Sequence, residues 1–303
     1  MTPTPTPMPP TPDASSPFGV FSPTLPHHVG VLGGGRMGAG IAHAFLMAGC
    51  EVVVVERDGE AAAAARARVA SAVSRSVERG LAVGPDGFLA RLAVSTDYAD
   101  FAPCGLVVEA VPEIQALKVE ALRAVEKQLT PTAFLATNTS SLSITSLAES
   151  IARPENFIGL HFFNPVPAST LIEVVVAGKT LPQLVASAQG WTAALGKTAV
   201  VVKDSPGFAS SRLGVALALE AMRMLEEGVA GAEDIDNAMV LGYRHQTGPL
   251  RTTDLVGLDV RLEIAEYLAE ALGERFAPPQ ILRDMVARGE LGRKTGKGFF
   301  DWA

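Results

Sequence analysis

The sequence predicts an α/β domain built on a parallel sheet, followed by an all-α C-terminal domain. Three observations lead to this fold class. A glycine-rich turn joins a short apolar run to a helical segment near the beginning of the folded chain. Strand-like and helical segments then alternate as far as residue 204, which is typical of a parallel sheet. Beyond that point the segments are helical only.

The first residues, 1–27, are predicted to lie outside the folded domains. The chain repeats Thr-Pro as far as Pro12, and prolines continue to Pro26. Such a segment favours extended, disordered chain. It has neither the basic nor the continuous apolar part of a secretory signal. No run of about eighteen apolar residues, the length that spans a membrane, occurs in the sequence.

The composition favours a soluble enzyme with two domains. The chain has 303 residues, of which 48% are hydrophobic and 19% are charged, and these are ordinary values for a globular protein. Its net charge of −7 disfavours nucleic acid or an anionic membrane as a partner. Cys50 and Cys104 have neither metal-ligand spacing nor a disulfide framework, so we expect no metal site and a reducing, cytoplasmic location.

The glycine-rich turn follows the apolar run 29–32 and precedes a helical segment at 39–46. Its spacing is G-x-G-x-x-G, in which the first glycine makes a tight turn, the second admits a pyrophosphate and the third lets the helix pack closely. The helix N-terminus offers N–H groups to the phosphates. This predicts a Rossmann-type dinucleotide-binding domain; a glycine-rich turn in an unrelated α/β protein is the alternative. The cofactor-binding residues predicted here are Gly33, Gly34, Gly35, Arg36, Met37 and Gly38.

Glu56 supports the same interpretation because it ends the β-branched run 52–55. A dinucleotide-binding fold places an acidic residue at this point to bind a ribose. A carboxylate accepts hydrogen bonds from the 2′-hydroxyl of NAD and repels the 2′-phosphate of NADP. The neighbouring Arg57 would favour NADP if Glu56 turned aside, but the sequence favours NAD.

The remaining elements follow from short apolar runs and from apolar positions at helical spacing. Strands are predicted at 52–56, 92–95, 106–109, 133–137, 157–163, 171–176 and 198–202, and helices at 60–79, 114–128 and 184–195. Later segments predict helices at 208–228, 232–242, 252–272 and 278–288. The breaker Pro206-Gly207 lies at this change, so the predicted domains are 28–204 and 205–303.

His161 and Glu173 are each six residues from Pro167. If 164–168 form the bend of a hairpin, the two side chains lie opposite each other on paired strands. A carboxylate beside an imidazole fixes its tautomer and raises its basicity, as a general base requires. The sequence therefore predicts a base for alcohol dehydrogenation, with a histidine buried in the core as the alternative.

Several strings resemble the L-3-hydroxyacyl-CoA dehydrogenases. They are the glycine-rich turn, Val108-Glu109-Ala110, Asn138-Thr139-Ser140-Ser141-Leu142, His161-Phe162-Phe163-Asn164-Pro165-Val166-Pro167, Asp204-Ser205-Pro206-Gly207-Phe208 and Lys294-Thr295-Gly296-Lys297-Gly298-Phe299. The resemblance covers residues 28 to 302 in unbroken order, and the length matches the short, single-function 3-hydroxybutyryl-CoA dehydrogenases. It implies hydride transfer between NAD and C3 of (3S)-3-hydroxyacyl-CoA or 3-oxoacyl-CoA, with short acyl chains expected.

The resemblance also implies catalytic roles. His161 would be the base and Glu173 its orienting carboxylate. Ser140 would hold the C3 oxygen of the substrate near the nicotinamide, and Asn164 would contact both cofactor and substrate.

Further contacts follow from the same resemblance. Glu113 and Lys118 match positions that touch the nicotinamide half, and Lys294 matches a lysine that reaches back to the cofactor. Surface salt bridges and a plain C-terminal turn are the alternatives. The substrate contact at Ser211 departs from the family, which usually has Asn there, and the hydroxyl has a shorter reach.

Expected partners are an acyl-CoA substrate and a second copy of the chain. The segment 250–259 resembles the family's dimerisation region, which lies in the helical domain. The resemblance also implies that this domain contributes to the substrate site. Arginines on the predicted helix 60–79 are either solvated or pair with CoA phosphates; they are Arg66, Arg68, Arg75 and Arg79. A dinucleotide-binding sensor or structural protein without catalysis is the alternative function.

Overall fold

An eight-stranded sheet forms the centre of the first domain in the computed structural model, which describes residues 24–81 and 83–302. Its strands are His28–Leu32 (β1), Glu51–Val55 (β2), Leu92–Ser95 (β3), Leu106–Glu109 (β4), Phe134–Thr137 (β5), Phe157–Phe162 (β6), Leu171–Val176 (β7) and Thr198–Lys203 (β8). The strand order is β3-β2-β1-β4-β5-β6-β7-β8. Short apolar runs form the central strands because both faces of the sheet are covered there, whereas the edge strands β3 and β8 are partly exposed.

Helices pack on this sheet, and the chain after the last strand forms helices without further strands of this sheet. Those of the first domain are Arg36–Met47 (α1), Gly59–Glu78 (α2), Asp86–Leu89 (α3), Gln115–Glu126 (α4), Ile144–Ala148 (α5) and Pro182–Ala194 (α6). The later ones are Ser210–Glu226 (α7), Ala232–Tyr243 (α8), Pro249–Val256 (α9), Leu258–Leu272 (α10) and Gln280–Ala287 (α11). The predicted fold class, a Rossmann-type α/β domain followed by helices, is confirmed.

Strand direction determines where a site can form. The strands β1 to β6 are parallel, so β1, β4, β5 and β6 end at one edge of the sheet. β7 is antiparallel to β6, and β8 is parallel to β7. β7 therefore begins at the edge where β6 ends, and its first residues face the ends of the parallel strands.

Alternate side chains of a strand belong to different buried clusters. Val29 and Val31 pack with Phe45 in one buried cluster, whereas Leu32 packs with Leu122 in another. Because successive side chains of a strand point to opposite faces, these clusters cover the two faces of the sheet. A third buried cluster holds the later helices together.

The predicted helix at 252–272 is wrong in one respect, because two helices occupy this segment. α9 ends at Val256 and α10 begins at Leu258. Gly257 between them has φ 108°, a left-handed conformation that favours glycine. A single glycine in a helical pattern gave no local sign of this break.

The predicted N-terminal segment 1–27 lies mostly outside the described residues. Within them, the carbonyl of Thr24 accepts a hydrogen bond from Trp191 Nε1 over 3.2 Å, and Leu25 packs against the first core. The packed chain therefore includes residues before 28. Among the described helices, none combines the length and the apolar character that crossing a membrane requires.

Two glycines of the glycine-rich turn are expected to have different roles, one in packing of the fold and the other in cofactor binding. A Cβ on Gly38 would lie 1.7 Å from the carbonyl oxygen of Gly33, whereas a Cβ on Gly35 would meet no atom within 4 Å. Gly38→Ala should therefore lower the free energy of unfolding by about 1–3 kcal/mol or more. Gly35→Ala should leave the melting temperature unchanged and weaken cofactor binding. Thermal denaturation of both variants checks this, and equal melting temperatures would contradict it.

Candidate active site

Glu56 lies against the glycine-rich turn, directly after β2. Its Oε1 accepts a hydrogen bond from the Gly34 N–H over 2.6 Å. The neighbouring Arg57 points elsewhere, because its Nε donates to Asp58 over 2.9 Å and its side chain is 84% exposed. The carboxylate of Glu56, and not the guanidinium of Arg57, therefore lies beside the turn.

The turn itself has the properties of a phosphate site. The N-cap of α1 is Gly35, and no side chain caps this helix end. The space beside Gly35 is open, so an approaching ligand meets no side chain there. Helix N–H groups without side-chain partners attract an anion, and the residues present fit a dinucleotide pyrophosphate.

A cavity of ≈ 350 Å³ lies where β1, β4, β5 and β6 end. The carboxyl ends of parallel strands are the usual place for a ligand in such a sheet. Several residues predicted for the site line this cavity together: Met37, Glu113, Ser140, His161 and Asn164. Asn138 also lines it, and its Oδ1 accepts a hydrogen bond from the Phe162 N–H over 2.8 Å.

His161 and Glu173 pair across β6 and β7 as the hairpin argument predicted. His161 Nδ1 lies 2.8 Å from Glu173 Oε2, and both side chains are buried. The rings of Phe163 and Phe208 lie 4.4 and 5.7 Å from the imidazole, measured between centroids. Engagement of Nδ1 leaves Nε2 as the nitrogen that can exchange a proton at the cavity.

Glu173 also accepts hydrogen bonds from the start of the helical domain. The Ala209 and Ser210 N–H groups donate to Oε1 over 3.0 and 2.8 Å, and the Ser210 hydroxyl donates to Oε2 over 2.7 Å. Burial opposes ionisation, but the hydrogen bonds from His161 and Ser210 hold the Glu173 pKa below its usual value. An ionised carboxylate accepts a hydrogen bond from the Nδ1–H of His161, which leaves Nε2 unprotonated and able to accept a proton.

Glu113 organises the loop that carries Ser140. Its Oε1 accepts hydrogen bonds from the N–H groups of Ser140 and Ser141 over 2.9 and 3.1 Å, and from the Thr139 hydroxyl. Burial raises the Glu113 pKa, but Lys118 and these hydrogen bonds outweigh it and hold the pKa below its usual value. The loop that presents Ser140 to the cavity is thus held by one carboxylate.

Lys118 is not a surface residue, since its side chain is only 1% exposed. Its Nζ donates to Glu109 Oε1 over 2.7 Å and to the Val111 carbonyl over 3.1 Å, and lies 3.3 Å from Glu113 Oε2. The alternative of a surface salt bridge is therefore wrong for Lys118. Three acceptors offset the cost of burying its charge, and direct contact with the cofactor stays a prediction.

The residues that line this cavity do not include the predicted Lys294 or Ser211. Lys294 Nζ lies 2.6 and 2.5 Å from the two carboxylate oxygens of Asp259, in the helical domain. Ser211 follows Ser210 in the first turn of α7 and is half-buried. Their contacts with cofactor and substrate stay predictions.

A second groove, of ≈ 490 Å³, borders the cavity because Asn164 lines both. It runs between α1, α2 and the loop after β6. Basic and hydroxyl side chains line it, namely Arg36, Arg68, Ser71 and Arg75. Of the four arginines singled out in the sequence, Arg68 and Arg75 face this groove.

Sequence reasoning missed several groups that hold the site. Glu109 appeared only inside a family string, yet it accepts from Lys118 and from the Thr137 hydroxyl over 2.6 Å. Ser210 was not singled out at all. An acid at the end of a predicted strand was a usable signal for Glu109, whereas the contact of Ser210 joins residues 37 positions apart.

Family models match nearly all of the described chain. The model described as 3-hydroxyacyl-CoA dehydrogenase, NAD binding domain, matches residues 28–205. The model described as 3-hydroxyacyl-CoA dehydrogenase, C-terminal domain, matches residues 207–302. The cofactor of the first domain is therefore NAD.

Individual relatives agree with these models. The chain is 40% identical over 275 residues to a probable 3-hydroxybutyryl-CoA dehydrogenase of Deinococcus radiodurans, covering 90% of this chain and 99% of that protein. It is 40% identical over 279 residues to the 3-hydroxybutyryl-CoA dehydrogenase of Mycobacterium tuberculosis, covering 90% and 98%. The crystal structure of (S)-3-hydroxybutyryl-CoA dehydrogenase from Ralstonia eutropha matches with a TM-score of 0.88 and 38% identity, covering 92% and 99%.

The position of Glu56 predicts the choice between dinucleotides. Glu56→Ala should weaken binding of NAD far more than binding of NADP, because it removes an acceptor for the 2′-hydroxyl and relieves repulsion of a 2′-phosphate. Dissociation constants for NADH and NADPH, measured by fluorescence, check this. Arg57→Ala is the matched control and should leave the preference unchanged. A wild-type protein that prefers NADPH would contradict this interpretation of Glu56.

Proposed function

The chain belongs to the 3-hydroxyacyl-CoA dehydrogenase family, and we propose that it interconverts (3S)-3-hydroxybutyryl-CoA and acetoacetyl-CoA with NAD as cofactor. The names of its relatives support the short acyl chain. NAD, when bound, accepts or returns the hydride at C3. The residues described below bind, orient and move the proton.

The buried pair of His161 and Glu173 is the observation that carries this proposal. Oxidation of an alcohol requires a group that removes the hydroxyl proton while the hydride leaves. Nε2 of His161 is that group, and the 2.8 Å contact with Glu173 holds the tautomer in which Nε2 is unprotonated. In the reverse direction, the imidazolium returns the proton to the oxygen.

Ser140 and Asn164 orient the substrate at this base. Both line the cavity with His161, and their side chains donate hydrogen bonds. Ser140 holds the C3 oxygen, and Glu113 fixes the backbone on either side of it. Asn164 lines both the cavity and the second groove, so it lies beside the acyl end of the substrate, and its contact with the cofactor follows from the family resemblance.

The second groove takes the CoA part of the substrate. Its arginines offer paired N–H donors to phosphates, and guanidinium groups bind phosphate well. Arg68 and Arg75 supply this charge, next to Arg36 of the glycine-rich turn, which is predicted to bind the cofactor. The groove and the catalytic cavity share Asn164 in their linings, so an acyl chain attached to CoA in the groove needs to extend only past this residue to reach His161.

The chain is proposed to act as a homodimer in the cytoplasm. Large apolar side chains of the helical domain are exposed, among them Leu213 at 71%, Leu241 at 77% and Leu255 at 41%. Arg251 lies over the rings of Phe300 and Trp302, at 4.0 and 5.7 Å from their centroids, and covers part of their apolar surface. Two buried free thiols, Cys50 and Cys104, suit a reducing compartment.

His161→Gln tests the proposed function. The variant should bind NADH normally but reduce acetoacetyl-CoA slower by a factor of about 10² to 10⁴, the usual contribution of a positioned base. Oxidation of NADH followed by absorbance measures this. His43→Gln, which changes a buried histidine between α1 and α2, is a control for the loss of any histidine.

The same assay separates enzyme from sensor. A non-catalytic dinucleotide-binding protein would bind NADH but show no turnover of acetoacetyl-CoA in the wild type. A His161→Gln variant that keeps most of its kcat would end the assignment of the base.

The exposed apolar side chains predict an assembly of two subunits. A two-fold contact would bury the same patch on both copies. Light scattering at micromolar concentration should give twice the single-chain mass. Leu255→Glu should yield single chains, because it places a charge on an exposed residue of 250–259, the segment that resembles the family's dimerisation region. A wild-type mass of 31.6 kDa, that of one chain, would contradict the proposal.

A further inference from the structure

We propose that Ser210 is a positioning residue for the base, through a hydroxyl that holds Glu173 in place. The inference rests on the proposed function, since it concerns the same histidine. It adds that the first turn of the helical domain takes part in aligning the proton-transfer group of the NAD-binding domain.

The carboxylate of Glu173 accepts hydrogen bonds from both domains. Oε2 receives the Ser210 hydroxyl over 2.7 Å and His161 Nδ1 over 2.8 Å, so both donors share one oxygen. Oε1 receives the N–H groups of Ala209 and Ser210. Three of these four hydrogen bonds come from residues beyond the sheet, and they fix both oxygens of the carboxylate.

The segment before α7 supports the same contact. Phe208 is buried and has φ 48°, a left-handed conformation that is rare for an aromatic residue. Its ring packs against the second core and lies 5.7 Å from the imidazole of His161. At the start of α7, Phe208 therefore packs against His161, and the next two residues, Ala209 and Ser210, bind the carboxylate of Glu173.

The shared oxygen gives Ser210 an electrostatic role as well. Its hydroxyl donates to an ionised carboxylate, since the hydrogen bonds at Glu173 hold that group's pKa below its usual value. Among the described residues, removing the hydroxyl leaves His161 as the one side-chain donor to Oε2. The carboxylate then interacts more strongly with the imidazolium that forms when His161 accepts a proton.

A purely structural role of Ser210 predicts a different result. If Ser210 only tethers α7 to the sheet, its loss lowers stability without changing the pH dependence of catalysis. Ser143 offers a matched comparison, because its hydroxyl donates to the carboxylate of Asp204 over 2.7 Å at the end of β8. Ser143→Ala removes a hydroxyl-to-carboxylate hydrogen bond of the same length at a place that does not contact His161. It also removes the N-cap of α5, because the Ser143 hydroxyl accepts a hydrogen bond from the Ser146 N–H over 3.1 Å, so it is a strict control for lost stability.

The experiment compares Ser210→Ala, Ser210→Thr and Ser143→Ala in the oxidation of (3S)-3-hydroxybutyryl-CoA. Ser210→Ala should lower kcat at neutral pH by about tenfold, the effect of one lost hydrogen bond to a charged group. Its acid limb in the profile of kcat/KM should move to higher pH, while KM for NAD changes less than about twofold. Ser210→Thr, which keeps the hydroxyl, should restore both properties. Ser143→Ala should have the wild-type profile.

A measurement independent of activity decides the inference if the wild type fails to turn over this substrate. Carbon-13 NMR of glutamate-labelled protein, with Glu173→Gln for assignment, follows the Glu173 carboxyl directly. Ser210→Ala should raise the Glu173 pKa, and Ser143→Ala should not. An unchanged Glu173 titration together with an unchanged pH profile would overturn the proposal, whereas an inactive wild type with the expected titration would overturn only the proposed function.

Discussion

The carboxylate of Glu173 is the constraint on which the rest of the site depends. It sits on β7, the strand whose direction is reversed relative to β6, and this reversal brings it opposite His161. It also receives the first N–H groups of α7, so the helical domain begins at the base. A buried carboxylate without donors would be costly, and these partners make ionisation favourable where the chemistry needs it.

The same principle recurs at the end of β4. Glu109 and Glu113 share the ammonium of Lys118, and Glu113 in turn holds the loop that carries Ser140. Removing one partner of such a buried set would leave a charge without compensation. The substrate-holding hydroxyl and the base are therefore positioned by separate carboxylate networks, each anchored at the edge where the parallel strands end.

Much of this architecture was predictable, and the reasons for the exceptions are physical. The pairing of His161 with Glu173 followed from counting outward from the bend, because side chains alternate with a period of two. The break at Gly257 was not predictable, since a single glycine is tolerated within a helical pattern. The direction of β8 was not predictable either, because the residue composition of a strand does not determine whether it runs parallel or antiparallel to its neighbour. Ser210 could not be found because its partner is distant in sequence and belongs to another domain.

The most direct test of this account is a crystal structure of the protein with NAD and acetoacetyl-CoA bound. The account predicts that His161 Nε2 lies within about 2.6–3.2 Å of the C3 oxygen, with Nδ1 still bonded to Glu173. It also predicts that the Ser140 hydroxyl donates to the same oxygen. A C3 oxygen held by other groups, beyond the reach of Nε2 directly or through one water, would contradict the central role given to this pair.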